Sequence, residues 1–122
     1  MESGTDGRVL RPSLNEKFRP AIGKRILEQC ASELLTGQKY ADANIADLSK
    51  RLAENVRKEL IDLQFPKYKY LIEIIIGEQR GQGARIHTGS CWDIDTDSQV
   101  THFYQNDSLF CEIIVFAIFT YS

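Results

Sequence analysis

Several things are scarce in this 122-residue chain. It has three cysteines, three prolines, one tryptophan and one methionine. Cys30, Cys91 and Cys111 cannot all pair within one chain, so a disulfide framework is not what organises it. No apolar N-terminal stretch reads as a secretory leader, and a reducing compartment is the expectation. A basic excess is missing too: 15 Lys and Arg stand against 17 Asp and Glu, for a formal charge of −2. Nucleic-acid binding would call for a clustered basic face, and here the cations are scattered. Long apolar runs are also absent. The longest, residues 109–119, is broken by Glu112 and falls well short of the ~20 apolar residues of a membrane helix. A soluble intracellular protein is expected.

What is present suits a single domain. Hydrophobic residues make up 43%, and a globule of this length buries roughly 65% of its unfolded surface, enough for one core. Residues 1–15 are polar and carry Gly4 and Gly7, which predicts a flexible tail. The domain is expected to span residues 16–122.

The first half carries helical periodicity. Pro20 fits a first helical turn, where its missing N–H costs nothing. Ile22, Ile26, Cys30 and Leu34 recur every fourth residue, with Leu27 and Ala31 widening that face. Gly37 is placed to cap the end. A second helix is predicted over residues 42–63, with Ile45, Leu48, Leu52, Val56, Leu60 and Leu63 as its stripe. The pairs Asp47–Arg51 and Glu54–Lys58 lie four apart on its wet side. Pro66 prevents continuation.

From residue 67 the period changes to two. Tyr68, Tyr70, Ile72, Ile74 and Ile76 share one strand face; Lys69, Leu71, Glu73 and Ile75 share the other. Residues 77–83 read as a glycine-rich turn, residues 84–92 as a polar second strand, and residues 99–105 as a short third. Asn106, Asp107 and Ser108 form a turn, because Asn and Asp bond their own backbone. The last strand, residues 109–121, is apolar on both faces, as a central strand is. Two helices before an antiparallel sheet give an α+β architecture with the helices on one face. Something else must cover the other face of the last strand, and a second protomer does so most economically.

Candidate chemistry is thin. Asp93, Asp95 and Asp97 have the opening spacing of a calcium loop, but Ser98 and Tyr104 stand where an EF-hand needs Gly and Glu. Residues 77–83 lack the Gly-Lys-Ser/Thr ending of a phosphate loop and lead into a strand. His87 and Cys91 share a strand face but lie ~13 Å apart, too far to ligate one metal. A Cys91–His102 pair lacks an orienting third group. No catalytic residue, metal or cofactor is predicted. The aromatic set of Trp92, Phe110, Phe116, Phe119 and Tyr121 reads as core.

The polar second strand reads as a sheet edge, and an edge is a template for an added peptide strand. Six backbone hydrogen bonds at a net ~1 kcal/mol each are comparable with the 4–15 kcal/mol cost of association. One edge alone therefore binds weakly, whereas two edges on a dimer gain ~10²–10⁴ in avidity.

Four stretches of the second half together resemble the Tctex-type dynein light chains. They are Tyr68-Lys69-Tyr70; Ile76-Gly77-Glu78-Gln79-Arg80-Gly81-Gln82-Gly83; Trp92-Asp93-Ile94-Asp95-Thr96-Asp97; and Asn106-Asp107-Ser108-Leu109-Phe110-Cys111. Leu10-Arg11-Pro12 and Phe18-Arg19-Pro20 resemble the start of the Tctex-2-like branch. The resemblance implies two helices on a four-stranded antiparallel sheet, and a dimer in which the second strand is exchanged between protomers. It implies a non-catalytic adaptor that holds an extended segment of dynein intermediate chain beside that strand. The partner protomer would be the chain itself or another Tctex-type light chain, in a cytoplasmic, ciliary or flagellar dynein. Carried over by position, the peptide contacts are Arg85, Ile86, His87, Thr88, Gly89, Ser90 and Cys91, and the strand-exchange hinge is Gly77, Gly81 and Gly83. Cys91 stands where the family places an aromatic, and the ending Phe119-Thr120-Tyr121-Ser122 also departs from it. Both touch the strand and the dimer face. Two other readings stay open: a peptide adaptor outside dynein, and a small-molecule enzyme using His87 or Asp93, which would need a closed apolar pocket around a perturbed titratable group.

Overall fold

The structure, a computed structural model, describes residues 17–80 and 98–120. The elements are α1 (Pro20–Leu35), α2 (Ile45–Ile61), β1 (Tyr68–Glu78), β2 (Gln99–Gln105) and β3 (Leu109–Phe119). The three strands form one antiparallel sheet in the order β1-β3-β2. The α+β class and the central place of the last strand are as the sequence led one to expect. The expected second strand, residues 84–92, lies outside the described residues, as do residues 1–15, Tyr121 and the Asp93, Asp95 and Asp97 loop.

Both helices pack on one face. Leu109, Cys111, Ile113, Val115 and Ala117 point from β3 into the core and meet Leu27, Ala31 and Leu35 of α1 and Leu48, Leu52, Val56 and Leu60 of α2. The α2 stripe is the predicted one, with Ile45 and Leu63 only half-buried. The α1 face is rotated from the expectation: Gly23, Leu27, Cys30, Ala31 and Leu35 are deepest, while Ile22, Ile26 and Leu34 are half-buried. Gly23 is the reason. It has no side chain, so the Phe18 ring lies against it; a Cβ there would fall 2.6 Å from Phe18 Cζ. Phe18 is 1% exposed and packs near Tyr68 and Tyr70, with ring centroids 6.2 and 6.0 Å away.

Helix boundaries follow their caps. Residues 42–44 are not helical, correcting the predicted start of α2. Asp42 and Ala43 close a turn onto the Lys39 carbonyl, and the Asn44 side chain accepts from the Asp47 N–H at 3.0 Å, satisfying an otherwise orphan donor. Asp47 and Arg51 pair at 3.8 Å on the surface. Gly37 follows α1 at φ +83°, where lack of a Cβ matters. Asn106 makes the predicted turn, its Oδ1 accepting from the N–H of Ser108 and Leu109 at 2.8 and 2.9 Å. Its Nδ2 also donates to the carbonyls of Leu35 and Gln38, tying the turn to the end of α1.

Gly77 is a second correction. It lies within β1, opposite Phe110, and a Cβ there would sit 2.5 Å from Phe110 Cε2. Strand β1 therefore runs on through Gly77 to Glu78. The strand keeps its ladder because a residue without a side chain leaves room for the ring across from it.

Candidate functional site

Register decides which backbone groups of β1 are available. In an antiparallel ladder each residue turns both its N–H and its C=O to the same side, alternately. Gln79 N–H bonds Ser108 O at 2.9 Å, and Thr120 N–H bonds Lys67 O at 2.7 Å. Both contacts continue the β1–β3 register, so the odd-numbered residues of β1 face β3. Tyr68, Tyr70, Ile72, Ile74 and Ile76 therefore turn their backbone groups to the free edge.

That edge is closed at one end and open along the rest. Tyr68 N–H returns to Phe65 O at 3.0 Å, and Tyr70 O accepts from Arg57 Nη1 of α2 at 3.3 Å. Among the described residues nothing bonds the outward groups of Ile72, Ile74 and Ile76. The β2 edge carries a similar contact, where Lys24 Nζ of α1 donates to Thr101 O at 2.6 Å.

The sheet face away from the helices carries Lys69, Leu71, Glu73 and Ile75 of β1 and Phe110, Glu112, Ile114, Phe116 and Ile118 of β3. Leu71 and Ile118 are 58% and 50% exposed, and they are diagonal neighbours in the register. Glu112 is buried, at 4% exposure, in the middle of the central strand. This face adjoins the open edge. A strand added to Ile72, Ile74 and Ile76 continues the same surface, so edge and face form one continuous contact area.

Chemistry of another kind finds little support. A groove of about 570 Å³ is lined by Ile61, Gln64, Phe65, Pro66, Tyr68 and Tyr70. Burial, with a smaller contribution from Tyr68, pushes the Tyr70 phenol up to about 12, away from the range useful to a general base near neutrality. Among the described residues no carboxylate, imidazole or thiol lines the groove. Burial likewise pushes the Cys30 thiol up to about 11, helped by Glu59 and Glu33, and the Cys111 thiol to about 12, helped by Glu112. Both stay protonated and behave as small apolar core residues. Among the described residues no group of three His, Cys, Asp or Glu could hold a metal, and no helix is long and apolar enough to cross a membrane.

Of the predicted site residues, Gly77 is described, and it packs against Phe110. Arg85, Ile86, His87, Thr88, Gly89, Ser90 and Cys91, with Gly81, Gly83 and Asp93, lie outside the described residues. Sequence reading did not single out Arg57 or Lys24. Both look like ordinary solvated helix cations, and only the packing of each helix over a strand edge brings them to a carbonyl.

The sequence model of the Tctex-1 family matches residues 17–118. The chain is 35% identical over 121 residues to dynein light chain Tctex-type protein 2B of Danio rerio, covering 99% of this chain and 81% of that protein. It is 35% identical over 113 residues to the Homo sapiens protein of the same name, covering 93% and 80%. Dynein light chain Tctex-type 4 of Homo sapiens is 29% identical over 108 residues, covering 88% of this chain and 49% of that protein. A match over this much of the chain, together with two helices laid on an antiparallel sheet, shows that the chain belongs to the Tctex-1 family, in its Tctex-2-like branch.

Proposed function

We propose that this chain is a non-catalytic light chain of a dynein motor complex, acting in microtubule-based transport as a dimeric adaptor for an extended segment of dynein intermediate chain. One observation carries the reading: a sheet edge whose backbone groups at Ile72, Ile74 and Ile76 have no partner among the described residues adjoins an apolar face that the helices leave uncovered. An edge recruits an extended strand, and an exposed apolar face favours a folded partner. In this proposal residues 16–122 form the domain and residues 1–15 a tail; burial of Phe18 in the core supports starting the domain ahead of α1. A fourth strand, residues 84–92, crosses to the partner protomer, with Gly77, Gly81 and Gly83 at the crossing. The partner is the chain itself or another Tctex-type light chain. Arg85, Ile86, His87, Thr88, Gly89, Ser90 and Cys91 line the peptide, and the complex works in cytoplasm, cilium or flagellum.

Size-exclusion chromatography with light scattering tests this, on the chain alone and mixed with a peptide from an intermediate chain. The expected result is a dimer whose peptide uptake is lost in Thr88→Pro, which removes one ladder donor. A monomer that binds no peptide, even with another Tctex-type light chain added, would overturn it.

A further inference from the structure

Parity separates the inward and outward backbone groups of β2 as it does those of β1. Ala117 N–H bonds Ser98 O at 2.8 Å and Asn106 N–H bonds Leu109 O at 2.9 Å, and both contacts continue the β2–β3 register. The even-numbered residues of β2 therefore face β3, while Gln99, Thr101, Phe103 and Gln105 turn their backbone groups away from it. Among the described strands β2 ends the sheet. Within its outward row the Thr101 carbonyl accepts from Lys24 Nζ of α1 at 2.6 Å. Gly23 explains how the helix comes so near: a Cβ there would lie 3.2 Å from Val100 Cγ1, so the missing side chain lets α1 settle against β2. Lys24, the next residue, is half-buried, and its ammonium reaches the backbone group one position along from Val100.

We propose that Lys24 seals the outer edge of β2 against strand addition by another chain. An added strand uses the N–H and C=O of each outward residue together. With the Thr101 carbonyl taken, Gln99 remains on one side and Phe103 with Gln105 on the other, and both runs are shorter than an ordinary strand. An incoming strand would also bury the ammonium, which is costly without a new partner. The consequence is closure. A sheet that accepted strands at both edges would let copies add head to tail without limit, whereas one sealed edge confines association to the rest of the surface. The assignment does not depend on the adaptor reading, because it says where a partner strand does not add.

The test is sedimentation velocity on the full chain over a wide range of concentration, joined to residue-resolved amide hydrogen exchange. Wild type is compared with Lys24→Met, Lys24→Ala, Lys24→Arg and Lys50→Met. Lys24→Met keeps an apolar stem and removes the donor; it should form species larger than any of wild type, beginning at a concentration at least about tenfold lower. In those species exchange at Phe103 should slow, as expected of an outward amide that has gained a strand. Lys24→Ala, with the best helix former at that position, should behave in the same way. Lys24→Arg should match wild type, since a guanidinium also donates to a carbonyl. Lys50 is exposed on α2, and Lys50→Met removes the same charge without touching the edge, so it too should match wild type. Retained protection of the Leu52 and Val56 amides separates edge pairing from unfolding. A wild-type size distribution in both Lys24→Met and Lys24→Ala would overturn the proposal. So would larger species in which Phe103 gains no protection, or the same larger species in Lys50→Met.

Discussion

Gly77 of β1 lies directly across the ladder from Phe110 of β3, and its bare Cα leaves the space that the phenyl ring fills. Its φ is not in the left-handed region, so the requirement is for room rather than for conformation. Gly77→Ala should destabilise the fold by about 1–3 kcal/mol through overpacking. Phe110→Leu in the same chain should recover part of that loss, because the two residues share one space. Urea denaturation of the two single variants and the double variant measures this. Additive losses would show that the cost of Gly77→Ala does not come from the Phe110 ring.

Asn106 joins its own turn to the end of α1 through four hydrogen bonds. Asn106→Ala should cost about 2 kcal/mol, since several partly buried groups lose partners together. Asn106→Asp keeps the acceptor for the Ser108 and Leu109 amides but sets a negative charge against the carbonyls of Leu35 and Gln38. It too should destabilise. A urea midpoint for Asn106→Asp equal to wild type would mean that the Leu35 and Gln38 contacts contribute nothing.

Stability should decline on the alkaline side. Cys30 and Cys111 have thiols raised from 9.0 to about 11 and about 12 by burial first and neighbouring glutamates second. The unfolded chain releases these protons first, so unfolding is favoured as pH rises above about 9. The contribution is fully present below pH 9 and is lost as pH climbs through 11 and 12. Urea unfolding between pH 7.5 and 10.5 should show the downward slope, shallower in Cys111→Ala. An identical slope in that variant would remove Cys111 as its source.

Leu71 and Ile118 should matter for association and hardly at all for folding. Each is at least half exposed in the single chain, so Leu71→Ser or Ile118→Ser leaves little cavity. The expected result is a dimer weakened by about tenfold, with a urea midpoint close to wild type when the chain is monomeric. Analytical ultracentrifugation reads the first and urea the second. Unchanged association would place the dimer contact elsewhere.

Much of this architecture is legible in the residues. The spacing of Ile45, Leu48, Leu52, Val56, Leu60 and Leu63 fits the stripe of α2, because its mixture of threes and fours suits a 3.6-residue period and the threes rule out a period of two. The alternation from Tyr68 to Ile76 fixes both strand and face, and Asn106 announces its turn through its own side chain. The double-sided apolarity of residues 109–119 marks the central strand. The stretches shared with Tctex-type light chains lead to the family.

Other features belong to the tertiary structure alone. The α1 face turned out rotated because Phe18, outside the helix, takes the space above Gly23; periodicity within a helix carries no information about a ring arriving from beyond it. Gly77 reads as a turn residue in any local window, and only its pairing in the β1–β3 ladder, across from Phe110, shows it to be a strand residue. Arg57 and Lys24 are indistinguishable from other helix cations until α2 and α1 pack over opposite edges of the sheet and bring each to a carbonyl. Which stretch of β1 lacks a partner among the described residues was likewise settled by packing, because it depends on ladder parity, set by the partner strand, and on how far a side chain reaches from a different element. The sequence by itself determined the two helices, the described strands, the buried faces of α2 and β1 and the family, since those follow from local period and residue type. The usable edge came from long-range contacts that no local pattern encodes.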